Sequence, residues 1–178
     1  KNVVDMTRAK ALKALFRVIR PHFILKDIPL LAVNHTYKTM EMFSKDVMSG
    51  GTGAMYNADD VWFVGRAQEK EDKEVVGYHF TIKVEKSRLV REGSKFPIYV
   101  SFDKGIDRWS GLLDFALEGG YTRKDGRGFV FPTLGDTKHQ KDKLPEIWPT
   151  LLQGNFANYL NQRFALSPEE VEAKAQAG

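Results

Sequence analysis

The stretch of residues 28–53, IPLLAVNHTYKTMEMFSKDVMSGGTG, constrains the fold of this chain more than any other. Four apolar residues, 30–33, follow a predicted helix and give way abruptly to the polar Asn34 and His35. A short apolar run of this kind predicts a strand that is buried on both faces, as in a parallel sheet. Ligands of open α/β sheets bind just beyond the carboxyl ends of such strands. We therefore predict an α/β fold with a binding site at this strand end.

The residues after this strand form a predicted loop that ends in a glycine cluster. Residues 36–52 show no helical or strand period. Long loops of this kind are usually functional or mobile. The alternative interpretation is a merely disordered connection. The glycines allow positive φ and close backbone approach, so they could form either a phosphate-binding nest or a hinge. Basic and apolar side chains could bind phosphates and stack on bases, or pack as a short core turn. The candidate residues are Lys38, Met42, Phe43, Lys45, Gly50, Gly51, Thr52 and Gly53.

A second candidate site is the basic run KVEKSR at residues 83–88. Lys86 and Arg88 are two positions apart, so both side chains point the same way if the strand continues through them. Lysine offers a point charge and arginine a bidentate fork, and both suit a phosphate group. Ordinary surface charge is the alternative interpretation.

The rest of residues 1–120 predicts alternating helix and strand. An amphipathic helix is expected over residues 5–20, and the following Pro21 is expected to end or kink it. Residues 61–64 predict a buried strand, and residues 78–85 and 96–102 alternate in polarity as half-buried strands do. The charged run EKEDKE between the first two predicts an antiparallel hairpin. A helix is expected over residues 109–118, with Gly119 and Gly120 ending it.

After residue 120 the composition changes, and we place a subdomain boundary there. Residues 129–131 predict a short strand, and residues 149–165 predict a helix with Pro149 in its first turn. Ser167 and Glu170 form a capping box that opens a last helix. Residues 121–178 therefore predict a small, mainly helical C-terminal subdomain.

Composition excludes several classes of function. No apolar run approaches the length of a membrane span, and the chain contains no cysteine, so disulfide and thiol chemistry are excluded. The four histidines lack the spacing of metal ligands, and no convincing acid–base pair is present. Residues 1–120 hold 19 Lys/Arg against 16 Asp/Glu, and residues 121–178 hold 8 against 7. Because neither part is strongly basic, a nucleic-acid role must depend on local clusters.

Several ordered segments carry a family resemblance. VNHT, EMFSKDVMSGGTGAMYNADDVWFVGR, KVEKSR and GID, taken in order, resemble the second half of the core of RecA-type recombinases, and within them the UvsX group of T4-like phages. The likeness covers residues 5–120 and continues more weakly beyond. It implies a partial RecA-like (P-loop ATPase) core, with a mixed sheet flanked by helices, over residues 1–120.

The resemblance also implies roles for the candidate residues. It makes residues 36–52 the second DNA-binding loop of the recombinase. It places Asn34 and His35 at the nucleotide and makes His35 the sensor of the γ-phosphate, with a structural histidine at the strand end as the alternative. Many relatives have glutamine where His35 stands, whereas the UvsX group has histidine. It makes Lys86 and Arg88 the basic residues that reach the ATP of the neighbouring subunit across a filament interface. Many relatives have lysine where Arg88 stands.

The function implied by the resemblance is ATP-dependent DNA strand exchange. Relatives form helical filaments on single-stranded DNA, use ATP and Mg²⁺, and work with ssDNA-binding and mediator proteins. The phosphate loop and the magnesium-binding strand precede this region in the family, and this sequence has neither. We therefore expect a C-terminal fragment that holds no cofactor and hydrolyses no ATP by itself, in the cytoplasm of a bacterial host and without a membrane partner.

Two other functions remain open. The chain could be a non-enzymatic ssDNA-binding or protein-interaction module, for which its basic strand and aromatic residues would suffice. It could also resemble a hexameric helicase or a clock-type ATPase core. The GGTG end of the loop and the EKSR strand argue against this last possibility.

Overall fold

The computed structural model describes residues 3–40, 46–51 and 53–176. These residues form a mixed α/β protein with several antiparallel sheets. The chain divides into two compact units, Lys1–Asp59 and Asp60–Gly178. The subdomain boundary near residue 120 stays a prediction.

The first unit begins with a long helix, α1 (Val3–Leu25), which contains the predicted amphipathic stretch. Pro21 lies inside this helix. Its missing N–H removes one i→i−4 hydrogen bond, yet the helix continues for another turn. Asp27 follows the helix in the left-handed region, at a φ of 52°, as is common just beyond a helix C-terminus.

A short antiparallel hairpin follows in the same unit. Strand β1 (Thr36–Lys38) pairs with β2 (Asp46–Met48), and Thr36 lies opposite Met48. A five-residue helix, α2 (Gly53–Asn57), then packs on α1. The expectation that residues 36–52 lack regular structure is therefore wrong for the part of the loop that the structure describes.

The predicted buried strand at residues 30–33 is also wrong. These residues form no strand, and Leu31 and Val33 are 87% and 94% exposed. A central strand of a parallel sheet needs hydrogen-bonding neighbours on both edges. Among the described residues of the first unit, the only ladder is the β1–β2 hairpin, so the apolar run has no sheet to join.

The second unit contains the main sheet, whose four strands all pair antiparallel in sequence order. The strands are β3 (Val61–Glu71), β4 (Glu74–Lys86), β5 (Lys95–Ser101) and β6 (Gly105–Ile106). The expected mixed sheet is thus not what the described residues form, because the candidate parallel strand at residues 30–33 is not a strand.

The predicted hairpin between β3 and β4 is confirmed. Asp72 and Lys73 connect the strands with φ values of 48° and 75°, and both central residues of a type I′ turn need positive φ. The period-2 burial predicted for β4 is also present, with Val84 fully buried and its neighbours less so. By contrast, residues 61–64 are not largely buried: Val61 is, but Trp62 and Val64 are more than half exposed.

Helices and a small sheet make up the rest of the second unit. Helix α3 (Leu112–Glu118) begins later than residue 109, because residues 108–111 form a turn. Its end at Gly119 is confirmed. Strands β7 (Arg123–Asp125), β8 (Gly128–Val130) and β9 (Lys138–His139) form a three-stranded antiparallel sheet.

The helix predicted over residues 149–165 is two helices. Helix α4 (Leu144–Leu151) contains Pro149, and α5 (Asn155–Phe164) starts after Gly154. Pro145 stands in the first turn of α4, the place where a proline is tolerated best. Helix α6 (Pro168–Gln176) is the last described element. It starts directly after Ser167, as the capping box predicted.

The main apolar core of this unit lies between α3, β8, α4 and α5. Phe131 and Phe156 are completely or almost completely buried there, and Trp148 packs edge-on against Phe131. The Phe164 ring, at the end of α5, contacts the Phe96 ring of β5 with centroids 4.7 Å apart. This contact joins the helical part to the main sheet.

Candidate nucleic-acid interface

Asn34 and His35 close the open end of the β1–β2 hairpin. The Asn34 side-chain amide donates to the Ser49 carbonyl at 2.8 Å, and its side-chain oxygen accepts from the His35 N–H at 2.8 Å. The Ser49 N–H donates to the His35 carbonyl at 2.8 Å. Asn34 thus acts through its side chain and His35 through its backbone, so both fix the path of the hairpin.

The hairpin presents exposed aromatic, apolar and basic groups. Tyr37 and Met40 are more than half exposed, and Lys38, also exposed, lies opposite Asp46 in the ladder. These are the side-chain types that contact the bases and phosphates of single-stranded nucleic acid. The other predicted residues Met42, Phe43, Lys45 and Thr52 lie outside the described residues.

The glycine cluster has a packing role against α1. Gly50 and Gly51 both have a φ of 82°. A Cβ atom on Gly53 would lie 2.6 Å from the Lys13 Cβ and 3.0 Å from the Lys13 Cα. These glycines therefore allow the backbone to approach the helix closely, which is a reason for glycine that does not depend on any ligand.

The strand that carries the basic run ends at Lys86. Ser87 is 2% exposed, and its Oγ accepts from the N–H groups of Leu89 and Val90 at 3.2 and 3.1 Å. This hydroxyl-centred turn redirects the chain immediately after β4. The argument that Lys86 and Arg88 share one side of a continuous strand is therefore wrong, because Arg88 lies in the turn.

Arg88 and Lys86 differ in exposure. The Arg88 side chain is exposed, whereas Lys86 is half-buried at the end of β4, opposite Val61. A guanidinium on an exposed turn suits a phosphate presented from outside the unit.

The turn at residues 87–92 is held by the C-terminal segment, which the sequence did not reveal. The Lys174 ammonium donates to the Ser87 carbonyl at 2.9 Å and to the Glu92 carboxylate at 2.8 Å. The Leu166 N–H also donates to the Leu89 carbonyl at 3.0 Å. A lysine separated from the turn by more than 80 residues leaves no signal in a single sequence.

Arg163 is a structural rather than an available cation. It donates to the Glu118 carboxylate, and this hydrogen bond raises the pKa of Arg163 above its usual range. Its guanidinium also lies over the Phe164 ring, 5.2 Å from the centroid. A cleft of about 450 Å³ beside it is lined by Arg91, Lys95 and Phe164 among others.

The two sets of candidate residues belong to different units. His35 and the glycines are in the first unit, and Lys86 and Arg88 are in the second. The described residues contain no group of His, Asp and Glu side chains that could hold a metal ion. None of the described helices combines the length and apolarity needed to cross a membrane.

The fold and these surfaces define a mixed α/β protein with antiparallel sheets and exposed basic segments. No protein-family model matches the chain. The chain is similar to the "Recombination and repair protein" of Enterobacteria phage T4, with 57% identity over 129 residues. The match covers 72% of this chain and 33% of the phage protein, so the chain spans about a third of the length of the curated relative that it matches.

Proposed function

We propose that this chain is part of a phage recombination and repair protein, and more specifically of an ATP-dependent strand-exchange recombinase of the RecA type, in the UvsX group. The observation that carries the proposal is the 57% identity to the T4 recombination and repair protein. The whole protein would form helical filaments on single-stranded DNA within the infected host cell, with ATP and Mg²⁺ as cofactors. Mediator and ssDNA-binding proteins would be its further partners.

In this proposal, the β1–β2 hairpin and the glycine cluster bind single-stranded DNA. Lys38 supplies a cation for a phosphate, and Tyr37 and Met40 supply surfaces for bases. His35 contacts the γ-phosphate while its backbone sets the path of the hairpin through Ser49. Nucleotide binding and the shape of the DNA-binding segment would therefore be coupled through one residue.

Lys86 and Arg88 would contact the ATP of the neighbouring subunit in the filament. The exposure of Arg88 on a fixed turn supports this role, because a phosphate bound by the adjacent subunit must be reached from outside. In this role the exposed Arg88, together with the half-buried Lys86 at the end of β4, would stabilise charge that develops on the transferred phosphoryl group. Bound ATP and Mg²⁺ would supply the reacting phosphate and its charge neutralisation.

A second candidate function is a non-enzymatic ssDNA-binding or protein-interaction module. The observation that favours it is the exposed hairpin, which presents Tyr37, Lys38 and Met40 within a single unit of this chain. A fluorescence titration with single-stranded DNA distinguishes the two candidates. A binding module binds equally well with and without nucleotide, whereas the recombinase, in a chain that includes the phosphate loop, binds more tightly with ATP.

The trans-acting role is tested by the double substitution Lys86→Ala and Arg88→Ala. We expect DNA-stimulated ATP turnover in the phosphate-loop-containing protein to fall by about 10²–10³-fold, as when charge-stabilising donors are lost at a transition state. The matched control is Arg123→Ala with Lys143→Ala, which removes the same charges from exposed ion pairs elsewhere in the second unit. Unchanged turnover in the Lys86/Arg88 variant, with normal thermal unfolding, would exclude the role.

A further inference from the structure

We propose that Lys174 is a positioning residue, which holds the turn at residues 87–92 so that Arg88 is presented in a fixed orientation. The proposal rests on the proposed function for the role of Arg88 itself. The holding of the turn is a separate claim, and it can be tested without DNA or nucleotide.

One ammonium group joins the two ends of this turn. Lys174 donates to the Ser87 carbonyl at 2.9 Å and to the Glu92 carboxylate at 2.8 Å. The Lys174 side chain is only 35% exposed. Charge-assisted hydrogen bonds are stronger than neutral ones, and here they fix the chain both before and after Arg88.

The backbone of the C-terminal segment holds the middle of the turn. The Leu166 N–H donates to the Leu89 carbonyl at 3.0 Å, and the Arg91 N–H donates to the Phe164 carbonyl at 2.8 Å. Val90 and Ala165 form an antiparallel bridge between these bonds. The carbonyls on both sides of Arg88, those of Ser87 and Leu89, are therefore held by the segment that leads into α6 and by α6 itself.

Helix α6 is itself held in place at its first turn. The Glu170 N–H donates to the Ser167 Oγ at 3.2 Å, and the Ser167 N–H donates to the Glu170 carboxylate at 2.7 Å. This reciprocal pair starts the helix directly after the bridge at Ala165. Lys174, in the last turns of the helix, is thus brought back over Ser87.

A fixed backbone matters for a residue that acts on a phosphate of another subunit. A backbone that is already fixed leaves only the Arg88 side chain to be ordered on contact, and a small misplacement can reduce a rate strongly. The C-terminal segment then has a defined task in the proposed mechanism. In this mechanism the segment positions the turn at residues 87–92 and does not itself touch the nucleotide.

The first measurement is amide hydrogen exchange on the 178-residue chain. The readout is the exchange of the Leu89, Val90, Arg91 and Gly93 amides, all of which are hydrogen-bonded in the turn or next to it. Lys174→Ala should speed their exchange by about tenfold, the effect of losing charge-assisted bonds from a partly exposed site. Glu92→Gln should have a smaller effect, because the bond to the Ser87 carbonyl remains. Lys143→Ala, which removes an exposed lysine ion pair elsewhere, is the control and should change nothing.

The second measurement is DNA-stimulated ATP turnover in a protein that also contains the phosphate loop. Lys174→Ala should lower kcat with little change in the KM for ATP, and Lys174→Arg should restore kcat because it keeps a cation within reach.

Unchanged exchange in Lys174→Ala overturns the positioning of the turn. If Lys174→Ala speeds exchange but keeps full turnover, while the Lys86/Arg88 variant loses turnover, then the positioning of the turn by Lys174 does not matter for activity. Faster exchange with full turnover in the Lys86/Arg88 variant overturns the proposed trans-acting role of Lys86 and Arg88 and leaves the positioning of the turn supported.

Discussion

Individual residues of the candidate interface have structural tasks that come before any contact with a ligand. The Asn34 side chain is engaged with Ser49, the Ser87 hydroxyl is engaged with the turn that it forms, and Gly53 lies against Lys13. A substitution at any of these positions will change the local structure as well as binding. Tests of function therefore need a stability measurement beside each binding measurement.

Gly53→Ala tests the close approach of the glycine cluster to α1. The added Cβ would meet the Cβ and Cα atoms of Lys13, which cannot rotate away, so we expect a loss of about 1–3 kcal/mol in the free energy of unfolding. The control is Gly65→Ala in β3, where the nearest neighbouring atom is the Thr81 carbonyl oxygen at 3.8 Å. Chemical denaturation of both variants measures the difference. Equal stability of the two variants would mean that Gly53 is not needed for packing.

Helices and strands that are specified by adjacent residues could be predicted from the sequence, whereas a strand that depends on distant partner strands could not. The β3–β4 hairpin and the α6 capping box were predicted because each is specified by adjacent residues: the EKEDKE turn in one case, and Ser167 with Glu170 in the other. The strand expected at residues 30–33 failed because its existence depends on distant partner strands that one apolar run cannot reveal. The place of Arg88 failed for a different, local reason: the Ser87 hydroxyl forms a turn with the residues just after it, and this turn interrupts the strand pattern that parity alone would continue.

The capping box of α6 makes a prediction about pH. The Ser167 N–H, with the Ser167 hydroxyl second, lowers the pKa of Glu170 below its ordinary value of 4.5. Because the folded-state pKa is depressed, the stabilisation of α6 is present above pH 4.5 and is lost as the pH falls through the lowered pKa. An NMR titration of the side-chain carboxyl should show this low value.

Ser167→Ala should raise the pKa of Glu170 partway toward 4.5, because it removes the hydroxyl contribution and leaves the backbone one. It should also weaken the first turn of α6 by about 1 kcal/mol. Ser110→Ala, in the same unit, serves as the control. A Glu170 titration that is identical in the wild type and in Ser167→Ala would contradict the capping box.

At the scale of the whole molecule, the proposed mechanism divides its tasks between two compact units. The first unit carries the β1–β2 hairpin, the glycine cluster and His35. The second unit carries the turn at residues 87–92 and the C-terminal segment that holds this turn. The similarity to the T4 recombination and repair protein covers 72% of this chain and 33% of that relative. The sequence and its resemblance supplied the candidate residues as predictions, whereas the contacts that these residues make are visible only in the structure.

In the proposed function, nucleotide and single-stranded DNA are coupled through His35. The most direct measurement compares ssDNA affinity with an ATP analogue and with ADP, in a protein that includes the phosphate loop. We expect the wild type to bind roughly 5–150-fold more tightly with the ATP analogue, the range typical of allosteric coupling. His35→Ala should lose this ratio and keep its hairpin, because its hydrogen bonds to Asn34 and Ser49 are made by the backbone. Lys38→Ala, the control, should weaken binding with both nucleotides and keep the ratio. A His35→Ala protein that retains the full nucleotide-dependent ratio would contradict the account.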